Sequence, residues 1–73
     1  MNACILIRVL PGKSMGVLES VKKLPEARGV FLVFGRYDIV VFAEAPSADA
    51  LRKLSGEVNS IRGVKSTETL IEG

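Results

Sequence analysis

The side chains best suited to holding a small molecule sit in one short stretch. Gly35-Arg36-Tyr37-Asp38 sets a flexible glycine, a cation, the only tyrosine and a carboxylate side by side between two apolar runs. Such a turn can offer hydrogen-bond partners of both signs to a small zwitterion. It can also be a plain hairpin turn in which Asp38 bonds nearby backbone amides and Tyr37 packs, and residue type by itself favours that simpler reading. A second polar stretch, Lys65-Ser66-Thr67-Glu68-Thr69, stands apart from the apolar runs. It reads either as an edge strand that resists aggregation or as the wall of a polar pocket. Pro11-Gly12-Lys13-Ser14 shares its last two residues with the phosphate-cradling G-x-x-x-x-G-K-[ST] loop but lacks the loop itself, so it reads as a turn entering a helix.

Covalent and acid–base chemistry find little support. There is no histidine to activate any serine, and Cys4, inside a strand-forming run, reads as a buried and inert thiol. A lone cysteine cannot form an internal disulfide, and zinc does not favour a site made of carboxylates alone. No catalytic residue, metal or cofactor is therefore expected. Ten Lys+Arg against eight Asp+Glu leave a net charge of +2. Lys22-Lys23 and Arg52-Lys53 read as solvated pairs on outer helix faces, so no direct nucleic-acid binding is expected. The longest apolar runs, such as Ile39-Val40-Val41-Phe42-Ala43, fall far short of the roughly 20 residues a membrane span needs. With no basic leader ahead of them, the chain reads as soluble and cytoplasmic, without a membrane partner.

The elements that must position these residues follow from periodicity. Residues 3–10 predict a strand, ended by Pro11-Gly12. Val17, Val21 and Leu24 recur at helical spacing from Ser14 to Leu24, and Pro25 stops the pattern. Gly29–Phe34 and Tyr37–Ala45 predict two more strands, separated at Gly35. Ser47 can cap a second helix carrying Leu51, Leu54, Val58 and Ile61 on its inner stripe, Gly63 suits the helix terminator, and Val64–Ile71 predicts the last strand. Arg28-Gly29-Val30 superposes on Arg62-Gly63-Val64, and Ile5 on Ile39, at an offset of 34 residues. The chain is thus one domain, residues 1–73, made of a βαβ unit taken twice. Its expected class is α+β and ferredoxin-like: a four-stranded antiparallel sheet with two helices on one face.

That architecture leaves the other face of the sheet bare, yet the first three strands are apolar at both parities. Ile5, Ile7 and Val9 alternate with Cys4, Leu6 and Leu10; Val30, Leu32 and Phe34 with Phe31 and Val33; Ile39 and Val41 with Val40 and Phe42. A domain of this size has few other ways to gain stability, so a sheet-mediated dimer is expected to bury the second face.

The run Gly35-x-Tyr37-Asp38-Ile39-Val40-Val41, followed by Ile61-Arg62-Gly63-Val64-x-x-Thr67-x-Thr69-Leu70-Ile71, resembles the effector-binding domain of the Lrp/AsnC (leucine-responsive, feast/famine) regulators, also called the RAM domain. The Pro11-Gly12 turn and the Leu24-Pro25 helix end extend the likeness over nearly the whole chain. Members usually carry an N-terminal helix-turn-helix; this chain begins at the first strand and resembles the stand-alone form. The resemblance implies a regulatory domain that binds an amino-acid effector, dimerises through its sheet and assembles further, to an octamer or decamer, with effectors between dimers. By position it implies a binding loop of Gly35, Tyr37 and Asp38 with Arg36 as a variable member, and polar contacts from Thr67, Thr69 and Ser66, from the same or a neighbouring subunit. Full-length Lrp/AsnC-type regulators are the implied partners. Two other readings stay open: a cofactor-independent dimeric α+β barrel enzyme, with Asp38 or Glu44 as its base, and an assembly module without a ligand.

Overall fold

In the computed structural model, which describes residues 1–72, the order is β1 (Asn2–Val9), α1 (Ser14–Lys22), β2 (Ala27–Leu32), β3 (Ile39–Glu44), α2 (Ala48–Asn59) and β4 (Val64–Ile71). The strands lie in the spatial order β2-β3-β1-β4 and every neighbouring pair is antiparallel. The doubled βαβ reading therefore holds, with β1 and β3 central and the polar β4 at an edge. A strand's pleat sends alternate side chains to opposite faces. Ala3, Ile5 and Ile7 of β1 and Ile39, Val41 and Ala43 of β3 accordingly share one core with Val17, Leu18 and Val21 of α1 and Leu51, Leu54 and Val58 of α2. Both helices thus cover the same face of the sheet.

The element ends move from the expected positions for local reasons. α1 stops at Lys22 rather than Leu24, because the residue before a proline is pushed out of helical geometry; Leu24 is only half-buried, and Leu18 supplies the missing core contact. β1 ends at Val9: the Leu10 N–H makes the last bond toward β4, to the Gly63 carbonyl at 2.8 Å, and Pro11, which has no N–H to give, follows. β2 runs from Ala27 to Leu32 rather than from Gly29 to Phe34, a bulge between Ala27 and Gly29 letting Ala27 pair with Ala43. β3 spans Ile39 to Glu44, within the expected Tyr37–Ala45. Gly63 is not the helix terminator. α2 closes on Ser60, and Gly63 is the third residue of a turn in which the Val64 N–H donates to Ile61 O at 3.1 Å.

Ser47 caps α2 as its residue type suggests, its Oγ accepting from the Ala50 N–H at 3.1 Å. Ser47→Ala removes the acceptor for that amide. It is expected to cost about 1 kcal/mol, a fall of roughly 4–8 °C in the melting temperature of a domain this small, while Ser47→Asp keeps the cap and the melting temperature.

The face turned away from the helices is as apolar as the strand parities require. Gly29, Phe42, Cys4 and Leu70 form one cross-strand row, and Phe31, Val40, Leu6 and Glu68 form the next. Phe31, Phe42 and Leu70 each keep about half their surface in contact with solvent (52%, 52% and 53%). The two phenylalanines meet edge to face, with centroids 5.8 Å apart. Cys4 corrects an expectation: its thiol lies half-buried on this open face, not within the core. A radius of gyration of 11.1 Å is what a tightly folded domain of this length has, so the exposed rings belong to a finished surface rather than a loose fold.

Candidate functional site

At the end of the sheet where β1 leaves and β3 enters, Asp38 is held by three bonds. Its N–H donates to Ile7 O at 2.9 Å, its carbonyl accepts from the Val33 N–H at 2.9 Å, and its carboxylate Oδ2 accepts from the Val9 N–H at 2.9 Å. The last of these has a clear cause. The pairing of β1 with β3 ends at Ile7 and Ile39, and the Asp38 side chain supplies the acceptor for the Val9 amide just beyond that end. The plain reading of Asp38, a carboxylate bonding a backbone amide, is therefore realised. Gly35, at φ +115°, lets the chain reverse in the short connection between β2 and β3.

Across from this hairpin, Leu10-Pro11-Gly12-Lys13 forms a turn closed by the Lys13 N–H on Leu10 O at 3.0 Å, with Gly12 at φ +77°. The hairpin and the turn bound an open cleft of about 500 Å³. Gly35, Arg36 and Asp38 line one side; Pro11, Gly12 and Ser14 line the other; Arg8, Val9 and Lys65 complete it. Three of the expected binding residues thus meet in one cavity. Sequence spacing does not place Arg8 and Lys65 there. Arg8 interrupts the apolar pattern of β1 and Lys65 directly precedes the expected Ser66, but only the pairing of β1 with β4 brings the two together.

The other expected residues lie elsewhere in the single subunit. Tyr37 reaches across the open sheet face, where its hydroxyl donates to Glu68 Oε2 at 3.4 Å. Ser66 is exposed beside Arg8 on that same face. Thr67 and Thr69 point the opposite way, to α2. The Thr69 hydroxyl shares a hydrogen bond with the Ser55 hydroxyl at 2.8 Å, and Thr67 Oγ1 donates to Asn59 Oδ1 at 3.5 Å. Of the two carboxylates considered as bases, Asp38 is tied to Val9, and Glu44 is exposed and pairs with Arg28 at 3.4 Å. Neither sits in a closed apolar cavity. Among the described residues no cluster of three or more His, Cys, Asp or Glu side chains could hold a metal, and no helix is long and apolar enough to cross a membrane.

Comparison with known proteins bears on this geometry. The family model of the Lrp/AsnC ligand binding domain matches residues 2–72. The HTH-type transcriptional regulator FL11 of Pyrococcus furiosus is 38% identical over 69 residues, which are 94% of this chain and 46% of that protein. The chain thus spans just under half the length of the curated relatives it matches. Among solved structures, TTHA0845 from Thermus thermophilus superposes with a TM-score of 0.94 at 29% identity, covering 99% of this chain and 91% of that one. AsnC of E. coli superposes with a TM-score of 0.88 at 27% identity, over 97% of this chain and 49% of that one. The fold is thus the ferredoxin-like one of these regulators, and this chain belongs to the Lrp/AsnC ligand-binding domain family.

Proposed function

We propose that this domain senses an amino acid in the cleft beside the Gly35–Asp38 loop and passes the occupancy on through its own assembly. One observation carries the reading: Gly35, Arg36 and Asp38 converge with Arg8 and Lys65 on a single cavity of about 500 Å³ that holds charges of both signs. That volume accommodates an amino acid. The cations take its carboxylate, and the lone pairs Asp38 does not spend on Val9 accept from its ammonium. The open sheet face pairs two copies, and dimers associate further into an octamer or decamer with effectors near their contacts. Ser66, exposed and without a hydrogen-bond partner among the described residues, is the member of β4 best placed to reach a neighbour's effector, while Thr67 and Thr69 seat that strand on α2. Effector binding shifts the population of assemblies by its differential affinity for them. Through the same sheet surface the domain joins full-length Lrp/AsnC-type regulators in the cytoplasm, and contact with DNA is left to those partners. The size of the cleft speaks against an assembly module without a ligand, and the ties on Asp38 and Glu44 against a barrel enzyme.

Calorimetric titration with the twenty amino acids, paired with light scattering with and without the binder, tests the reading; no heat from any of them overturns it. Asp38→Asn keeps an acceptor for the Val9 amide while removing the charge that meets an ammonium. It is expected to weaken effector binding about tenfold with the fold intact. Asp38→Ala also strips the acceptor and is expected to lose about 1–2 kcal/mol of stability, read from a urea melt. Unchanged affinity in both variants removes Asp38 from the site.

A further inference from the structure

The charges around the cleft do not balance. Arg8, Arg36 and Lys65 line it against the single carboxylate of Asp38, which also accepts the Val9 N–H at 2.9 Å. None of the three cations has an ion-pair partner among the described residues; the salt bridges are Arg28 with Glu44 and Arg52 with Asp49, both elsewhere. Glu68, on the same open face as Arg8, takes the Tyr37 hydroxyl and forms no ion pair with any of the three among the described residues. The start of α1, whose Ser14 lines the same cleft, adds to the imbalance: Lys13 at the N-cap gives no side-chain cap, and the first turn holds no acidic residue. A neutral amino acid brings one carboxylate and one ammonium, which leaves the cleft as positive as before. We infer that the effector carries a net negative charge supplied by two carboxylates, as an acidic amino acid does.

This inference rests on the sensor reading and names the ligand class of its site. Arg8 and Arg36 offer planar forks that match a carboxylate in bidentate fashion, Lys65 adds a point charge, and Asp38 is left for an ammonium. Like charges gathered in a concave site also attract such an anion from solution, an effect that salt weakens.

The test is calorimetric titration of the intact chain with L-aspartate, L-glutamate, their amides asparagine and glutamine, and succinate, which has the two carboxylates without the ammonium. Aspartate or glutamate is expected to bind at least about tenfold tighter than its own amide. The preference should narrow at high salt, shrink about tenfold in Lys65→Met and in Arg8→Met, and persist in Lys65→Arg. Amides or apolar amino acids binding as tightly as the acids overturn the inference and leave the sensor reading standing. Succinate matching aspartate upholds the two carboxylates and removes the amino-acid reading. Asp38→Asn should weaken aspartate but not succinate. No heat from any compound overturns both.

Discussion

Phe42→Glu is expected to turn the assembled protein into a folded monomer. Phe42 stands in the middle of the open sheet face, between Gly29 on β2 and Cys4 on β1, with the Phe31 ring edge-on to it. In the single subunit about half of its surface meets water, so a glutamate there stays solvated and the helix-covered core, to which Phe42 does not belong, is untouched. In a two-fold dimer through this face the position is buried twice, and each copy brings an uncompensated charge into an apolar contact. Central aromatic positions of an interface lose about 2 kcal/mol or more each on truncation, so the dimer dissociation constant should rise by at least about two orders of magnitude. Light scattering over a concentration series reads the change, and an unaltered far-UV circular dichroism spectrum shows the subunit still folded. Phe42→Ala should give a smaller shift in the same direction. A Phe42→Glu protein that assembles like the parent places the subunit contact on another surface.

The same face shows what the sequence could and could not disclose. Two-parity apolar strands were visible at once, because the pleat has a period of two and the second apolar set has nowhere else to go in a chain with two helices. The starts of both helices, the Ser47 cap and the bounds of β4 were legible for a similar reason: each depends on contacts within a few residues, whereas the helix ends fell two or more residues from the expected ones. The cleft was legible only in part. Its Gly35–Asp38 wall is a contiguous stretch, but Arg8 and Lys65 come to it through the pairing of β1 with β4, a contact between chain ends. Asp38 shows the same limit. Its residue type suggested a bond to a nearby amide, yet the amide it takes belongs to Val9, 29 residues away, and is free only because the pairing of β1 with β3 stops at Ile7 and Ile39.

Gly63→Ala is expected to be the most destabilising small substitution outside the core side chains, and to weaken the cleft with it. Gly63 is buried at φ +101°, where an L side chain is strained, and an added Cβ falls 2.9 Å from Lys13 Cβ and 3.1 Å from Val17 Cγ2. Neither neighbour yields easily: Val17 is fully buried, and the Cβ of Lys13 moves only with the backbone that starts α1. Backbone strain of about 1 kcal/mol and overpacking of about 1–3 kcal/mol together give a loss of about 2–4 kcal/mol, a large share of what holds a domain of this size. Gly12→Ala separates the two terms. Gly12 also has positive φ, at +77°, but nothing lies within 4 Å of its added Cβ, so only the backbone term of about 1 kcal/mol remains. Urea melts of both variants at one protein concentration, which holds any effect of assembly on apparent stability fixed, should rank Gly63→Ala well below Gly12→Ala. The Gly63 carbonyl also accepts from the Leu10 N–H, at the head of the Pro11-Gly12 turn that forms one wall of the cleft. A shift of α1 away from Gly63 carries that wall with it, so whatever ligand the cleft takes should bind Gly63→Ala less tightly even where the variant remains folded. Equal stability of the two alanine variants would show that α1 gives way without cost and that its seat on Gly63 does not shape the cleft.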